Sequence, residues 1–231
     1  MMKEIEENFK NVMKRIEAAA IRSGRNPGDV KLVTVTKTIA CERIEEAIKA
    51  GAYALGENRV QEAVEKYECL KKGELHLIGH LQKNKVKYII DKVHMIHSVE
   101  NMELVKEIDK RAKGIDKIQK ILIEVNVSGE ESKFGLAPEK VLDFVKEAKE
   151  YPNVKIEGLM TVAPFGAEED ELRKIFSSLK KISLDIEKEK LHTVSMKELS
   201  MGMTNDFEIA VEEGATMVRV GTGIFGKRNY A

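Results

Sequence analysis

The chain has 231 residues, 42% of them hydrophobic and 34% charged, which is enough apolar material for one large domain or two small ones. Its 39 Lys and Arg balance its 39 Asp and Glu, so no bulk basic field exists to hold a nucleic-acid backbone or an anionic membrane, and any anion site must be local. No uncharged stretch approaches the roughly 18 apolar residues of a membrane span, and the opening MMKEIEENFK lacks the apolar core of a signal peptide, so a cytoplasmic protein is expected.

In chain order, the first predicted element is a helix over Lys3 to Arg22, where Ile5, Phe9, Val12, Ile16 and Ala19 recur at helical spacing until SGRNPG stops the pattern. Short β-branched or apolar runs then alternate with amphipathic segments. The runs are KLVTVT, AYALG, LHLIG, VHMIHSV, IQKILIEVNV, VKIEGLMTV, LHTVSM and TMVRVG. Between them lie helical patterns over 42–50, 59–67, 83–90, 102–112, 138–149, 169–189 and 206–213. The two cysteines, Cys41 and Cys69, have no CxxC spacing and too few companions for a disulfide framework, so they read as ordinary helix residues.

Eight strands separated by helices imply a parallel sheet, because parallel neighbours need crossovers long enough to contain a helix. The expected fold is a closed (β/α)8 TIM barrel in one domain, 1–231, with an open doubly wound sheet as the alternative. Only GTGIFGKRNYA follows the eighth run, so the helix over Lys3 to Arg22 is assigned to the place of the missing eighth helix.

A barrel's active site lies at the carboxyl ends of its strands. The first strand ends in Thr36-Lys37-Thr38, and alternation puts Lys37 on the face of Val33 and Val35, which sets an amine at the barrel mouth. Asn58, His80, Ser98 and Asn126 follow later strands, although each has an ordinary reading as a helix cap or loop-ordering residue. The seventh and eighth ends are the most informative. KELSMGMTND offers Ser200, Gly202 and Thr204 before a short helix, and GTGIFG offers Gly221 and Thr222, so both loops suit a phosphate. Residues 221–226 also match GxGxxG, but no helix, second strand or later acidic residue follows to make a dinucleotide site. On the eighth strand, alternation sends Val218 and Val220 to one face and Met217 and Arg219 to the other, and an inward arginine needs an acceptor.

A lysine opposite a phosphate cradle suits pyridoxal phosphate (PLP), whose aldehyde condenses with an amine while its phosphate anchors the other end. A sugar-phosphate aldolase uses similar parts but usually carries its lysine on a later strand. The ordered segments LVTVTKT, GENRVQE, HLIGHLQKNK, HSVE, EVNVSGEESKFG, GLMTV and LSMGMTNDFEIAVEEGATMVRVGTGIFG resemble the pyridoxal-phosphate homeostasis protein family, whose barrel is similar to the N-terminal domain of alanine racemase. The resemblance covers nearly the whole chain and is most specific over 199–226. It implies a Schiff base on Lys37. It also implies cofactor-lining roles for Asn58, Ser98 and Met160, phosphate contacts at Ser200, Gly202, Gly221 and Thr222, and Arg219 facing the pyridine nitrogen. Arg59, Leu75 and Thr204 depart from common family residues.

The implied function is intracellular vitamin B6 homeostasis by a PLP carrier, with PLP and PLP-dependent apoenzymes as partners and no nucleic acid, membrane or metal. A guanidinium does not favour a protonated pyridine, which weakens carbanion chemistry. A racemase, the alternative, needs a second acid or base opposite the lysine. Alanine racemase takes that group, a tyrosine, from a further domain that also makes its dimer, so a monomer without racemase chemistry is expected here. Tyr53, Tyr67, Tyr88 and Tyr151 read as outer residues, and Tyr230 lies in the tail.

Overall fold

The computed structural model describes residues 2–130 and 132–226; the expectation for Tyr230 lies outside them. Eight parallel strands close into a barrel in sequence order: β1 (Lys31–Val35), β2 (Ala54–Glu57), β3 (Glu74–Leu77), β4 (Met95–Val99), β5 (Gln119–Glu124), β6 (Val154–Met160), β7 (Glu198–Ser200) and β8 (Met217–Val220). Closure is made by β1 against β8, with Lys31 opposite Met217 and Val33 opposite Arg219.

The helices are α1 (Met2–Arg22), α2 (Cys41–Lys49), α3 (Val60–Glu65), α4 (Tyr67–Leu70), α5 (Met102–Lys113), α6 (Val141–Ala148), α7 (Glu169–Lys188), α8 (Phe207–Glu212) and α9 (Thr222–Phe225). The predicted helix over 83–90 is a 310 segment, Lys83–Tyr88. α1 buries the expected stripe of Ile5, Phe9, Val12, Ile16 and Ala19. It packs along α2, α8 and α9. Asn8 Nδ2 donates to the Ile224 carbonyl at 3.0 Å, and Arg15 pairs with Glu208 at 2.6 Å. The N-terminal helix therefore fills the gap after β8, as expected, although one helical turn, α9, also forms in the GTGIFG segment, which was expected to be a glycine-rich turn.

Strand alternation sorts the core into two layers. Leu32, Leu75, Leu77, Ile96, Leu199, Val218 and Val220 belong to the outer core between strands and helices. Val33, Ala54, Met95, Leu122, Met160 and Met217 meet inside the barrel. The interior is thus filled with side chains, so a ligand of the barrel itself is accommodated at the mouth rather than within it.

Two sequence expectations are corrected. LHTVSM is not a strand; β7 is the three-residue ELS that follows, with Leu199 opposite Leu159 and Ser200 opposite Met160. Three residues are too few to show a period of two, whereas LHTVSM has strand-like composition but is tied to β6 through the Ser195 N–H, which donates to the Ile156 carbonyl at 2.9 Å, without forming a ladder. Nor are Cys41 and Cys69 ordinary helix residues. They form a disulfide between the start of α2 and α4, with Cα atoms 5.9 Å apart, a distance suited to a bridge. A sequence separation of 28 hides this pairing, because it depends on α2 and α4 being neighbours outside the barrel.

Candidate functional site at the barrel mouth

Lys37 leaves β1 in a tight turn fastened from the β2 side. Thr36 Oγ1 donates to Glu57 Oε1 at 2.7 Å, and Lys66 Nζ donates to the Thr36 carbonyl at 2.8 Å. The Thr38 N–H donates to Glu62, which also pairs with Lys66. Thr38 itself takes a left-handed φ of 62°, a strained value for a β-branched residue. This clamp compensates the strain and fixes the backbone on which the lysine stands. Burial raises the Glu57 carboxyl above its ordinary range, against the contacts from Thr36 and Lys66.

Lys37, Asn58, Arg219, Gly221 and Thr222 line one cavity of about 290 Å³ at the carboxyl ends of the strands. Val35, Ile78, Val162, Met203 and Thr204 complete its wall. Side chains alternate along β1 and β8 as expected, so that Val35 and Lys37 reach the same space as the inward Arg219.

Four other expected residues sit behind this wall. Met160 is buried in the apolar layer inside the barrel. Ser98 is buried, and its hydroxyl donates to the Gly79 carbonyl at 2.6 Å. A Cβ on Gly79 would stand 2.3 Å from the Asn58 carbonyl oxygen, so Ser98 secures the glycine against which the Asn58 backbone rests. Ser200, misplaced in a loop by the sequence reading, is the last residue of β7 and fully buried; its Oγ accepts from Arg219 Nη1 at 2.7 Å. Gly202 adopts a φ of 89°, and a Cβ there would lie 2.5 Å from Ala210 Cβ and 2.9 Å from Phe207 Cα. Gly202 thus brings the SMGM turn down onto α8, where Asp206 Oδ1 accepts the Met203 N–H. We expect Gly202→Ala to cost about 2–4 kcal/mol from positive-φ strain plus overlap; a chemical denaturation midpoint equal to wild type contradicts this close approach.

His80 and Asn126 do not line the cavity. His80 stacks on Phe134 and lies 3.3 Å from Glu100, while Asn126 orders its loop by accepting from the Gly129 N–H and donating to the Glu130 carbonyl. Asn101, not Ser98, caps α5.

The sequence reading missed a buried polar line under Arg219. Arg219 is 4% exposed, and its Nη2 donates to the Thr161 carbonyl at 2.9 Å. Burial lowers the guanidinium pKa to about 10 while Glu124 and Asp206 oppose that shift, so it remains cationic at neutral pH. Beneath it lie His97 and His76, whose inward direction was already implied by the outward Ile96, Leu75 and Leu77.

Glu124, at the end of β5, was also missed. It lines a smaller cavity of about 190 Å³ that shares Val162 with the lysine cavity. Burial and the nearby Glu100 raise its carboxyl to about 7, against Arg219. An acid with a raised folded-state pKa holds its proton longer in the folded protein, so its contribution to stability falls as pH rises from about 4.5 to about 7. Glu124→Gln removes this penalty. The variant is expected to gain about 3 kcal/mol relative to wild type between pH 4.5 and pH 8; parallel stability-versus-pH curves contradict the assignment.

Among the described residues, no helix is long and apolar enough to cross a membrane. The family model for the alanine racemase N-terminal domain matches residues 2–229. A pyridoxal phosphate homeostasis protein of Aquifex aeolicus is 45% identical over 226 residues, 97% of this chain and 98% of that one. Two solved structures superpose closely. A protein of unknown function from Bifidobacterium adolescentis has a TM-score of 0.93 at 36% identity, covering 97% of this chain and 95% of its own. PipY of Synechococcus elongatus PCC7942, solved with PLP bound, has a TM-score of 0.80 at 32% identity, covering 93% of this chain and 100% of its own. With this barrel, this mouth and these full-length likenesses, the chain belongs to the alanine racemase N-terminal domain family and, within it, to the pyridoxal phosphate homeostasis proteins.

Proposed function

We propose that the mouth cavity binds pyridoxal phosphate, with Lys37 as the amine that condenses with its aldehyde, and that the protein serves vitamin B6 homeostasis as a carrier. The observation that carries this reading is the convergence of Lys37, Arg219 and the Gly221–Thr222 turn on one cavity of about 290 Å³. The residues fit the group. A primary amine stands on a clamped turn, a buried cation adjoins the space, and Gly221, Thr222 and Thr204 line it, with Thr204 Oγ1 accepting from the Gly223 N–H at 3.4 Å, which suits an anion. Asn58 and the apolar Ile78 and Val162 suit the faces and edge of a planar ring, with Met160 beneath and Ser98 securing Asn58. The Ser200 hydroxyl is already engaged by Arg219, so its part in phosphate binding is to orient the SMGM turn, and Gly202 supplies that turn's approach.

The ring nitrogen would meet a guanidinium, which only donates and carries its own charge, so the ring is a weak electron sink and storage is favoured over turnover. On this reading the protein is one domain working as a monomer in the cytoplasm, and PLP-dependent apoenzymes are the acceptors. Titrating the protein with PLP while recording visible absorption tests binding, with one saturable band per chain expected and a featureless spectrum against it.

The alternative, a PLP-dependent amino-acid racemase, has one observation in its favour. Glu124, with a pKa of about 7, is a proton-exchanging group in the neighbouring cavity. Exchange of alanine's α-hydrogen for solvent deuterium separates the two readings. A rate no faster than that of free PLP supports the carrier, and robust exchange that is lost in Glu124→Gln supports the racemase.

A further inference from the structure

Inside the barrel, side chains from four strands form a single line that starts at Arg219 and runs away from the mouth. Arg219 Nη1 donates to Ser200 Oγ at 2.7 Å. Ser200 Oγ lies 2.9 Å from His97 Nδ1, and His97 Nε2 lies 2.8 Å from His76 Nδ1. His76 Nε2 faces Glu74 Oε2 at 3.7 Å, an electrostatic contact beyond hydrogen-bond distance. Ser200, His97 and His76 are all fully buried. Glu74, the first residue of β3, sits at the opposite end of the barrel beside Lys31 and His94.

Counting hydrogens fixes the direction of this line. A guanidinium only donates, so the Ser200 oxygen accepts from it. The hydroxyl hydrogen then has His97 Nδ1 as its acceptor. A neutral His97 with a bare Nδ1 carries its proton on Nε2 and donates to His76 Nδ1, and His76 in turn carries its proton on Nε2, toward Glu74. This arrangement uses one hydrogen per link and leaves both imidazoles neutral. Burial supports that state, holding His76 below its ordinary pKa and His97 well below it. Glu74 is kept ionised, at about 2, by His76, His94 and Lys31.

We propose that Ser200, His97 and His76 are positioning residues for Arg219: their one-way chain of hydrogen bonds, with the Glu74 carboxylate facing its last ring at 3.7 Å, fixes the guanidinium that faces the bound cofactor. The Thr161 carbonyl holds Nη2 and the chain holds Nη1, so the guanidinium plane is set by two directions. With His97 removed, the Ser200 hydroxyl has no acceptor for its hydrogen and no longer presents its oxygen in one orientation. The inference rests on the reading that PLP occupies the mouth cavity.

Two measurements test it. In wild-type protein with 15N-labelled histidine, both His97 and His76 are expected as neutral Nε2–H tautomers near neutral pH. A proton on Nδ1 of either ring overturns the chain. In parallel, His97→Leu and His97→Asn are titrated with PLP. Leucine breaks both links, whereas the asparagine amide oxygen can still accept from Ser200. His97→Leu is expected to weaken binding roughly tenfold, as for a lost hydrogen bond at a charged group, and to move the absorption maximum of the bound cofactor; His97→Asn is expected to recover most of both. The absorption maximum separates positioning from general destabilisation of the barrel, which does not move it. Wild-type binding with both variants unchanged overturns this inference alone, whereas no chromophore in the wild type overturns the site reading and this inference with it.

Discussion

Lys37→Ala is expected to abolish the visible band formed with PLP and to weaken binding by at least about a hundredfold. The carbonyl-amine condensation makes a covalent C=N bond and releases water, and no other lysine among the described residues lines the cavity to replace it. What survives is the phosphate cradle and the Arg219 contact, so a weak, colourless complex is expected. Lys37 stands on the turn fastened by Lys66, Glu62 and Glu57, and truncating its side chain removes none of those contacts. The folding transition should therefore stay close to that of the wild type. A titration in which Lys37→Ala retains the wild-type band places the reactive amine elsewhere.

The second large effect is expected from the disulfide. Closing a loop of 28 residues between Cys41 and Cys69 restricts the unfolded chain. In the chain-entropy model this stabilises the fold by about 3–4 kcal/mol. Reduction, or Cys41→Ala with Cys69→Ala, should lower Tm by roughly 6–16 °C in a domain of this size. Because α2 starts only four residues after Lys37, the bridge also ties the strand end carrying the lysine to α4. Titration of the native, unreduced protein with a thiol reagent should find no reactive thiol. Two accessible thiols in that titration, together with a Tm insensitive to reductant, contradict this expectation.

The parts of the site legible in the sequence are those where a long strand keeps its period up to the mouth. Val33, Val35 and Lys37 alternate cleanly, as do Met217 and Arg219 against Val218 and Val220, and the structure keeps each on the face so inferred. The barrel itself was legible because eight apolar runs separated by amphipathic helices leave few other ways to bury both faces of a parallel sheet.

What escaped has identifiable physical causes. β7 is three residues long, so its register comes from backbone pairing with β6, and Ser200 therefore passed for a loop hydroxyl. At Gly158, opposite Glu198, a Cβ would lie 1.8 Å from the Glu198 carbonyl oxygen; this close contact between neighbouring strands has no signature beyond the glycine. The disulfide and the His76–His97 pair are contacts between separate elements, invisible to any local spacing rule. The histidines did carry one readable signal, since His76 lies between the outward Leu75 and Leu77 and His97 follows the outward Ile96, which puts both at inward positions where a polar ring requires buried partners.

The claim that Lys37 holds PLP at the barrel mouth is tested most directly by borohydride reduction of the protein equilibrated with PLP, followed by peptide mapping. Hydride converts the C=N bond to a stable amine and fixes the cofactor to the nitrogen that held it. One adduct per chain, on Lys37, is expected, with loss of the visible band. An adduct spread over surface lysines, or none at all, overturns the assignment of Lys37.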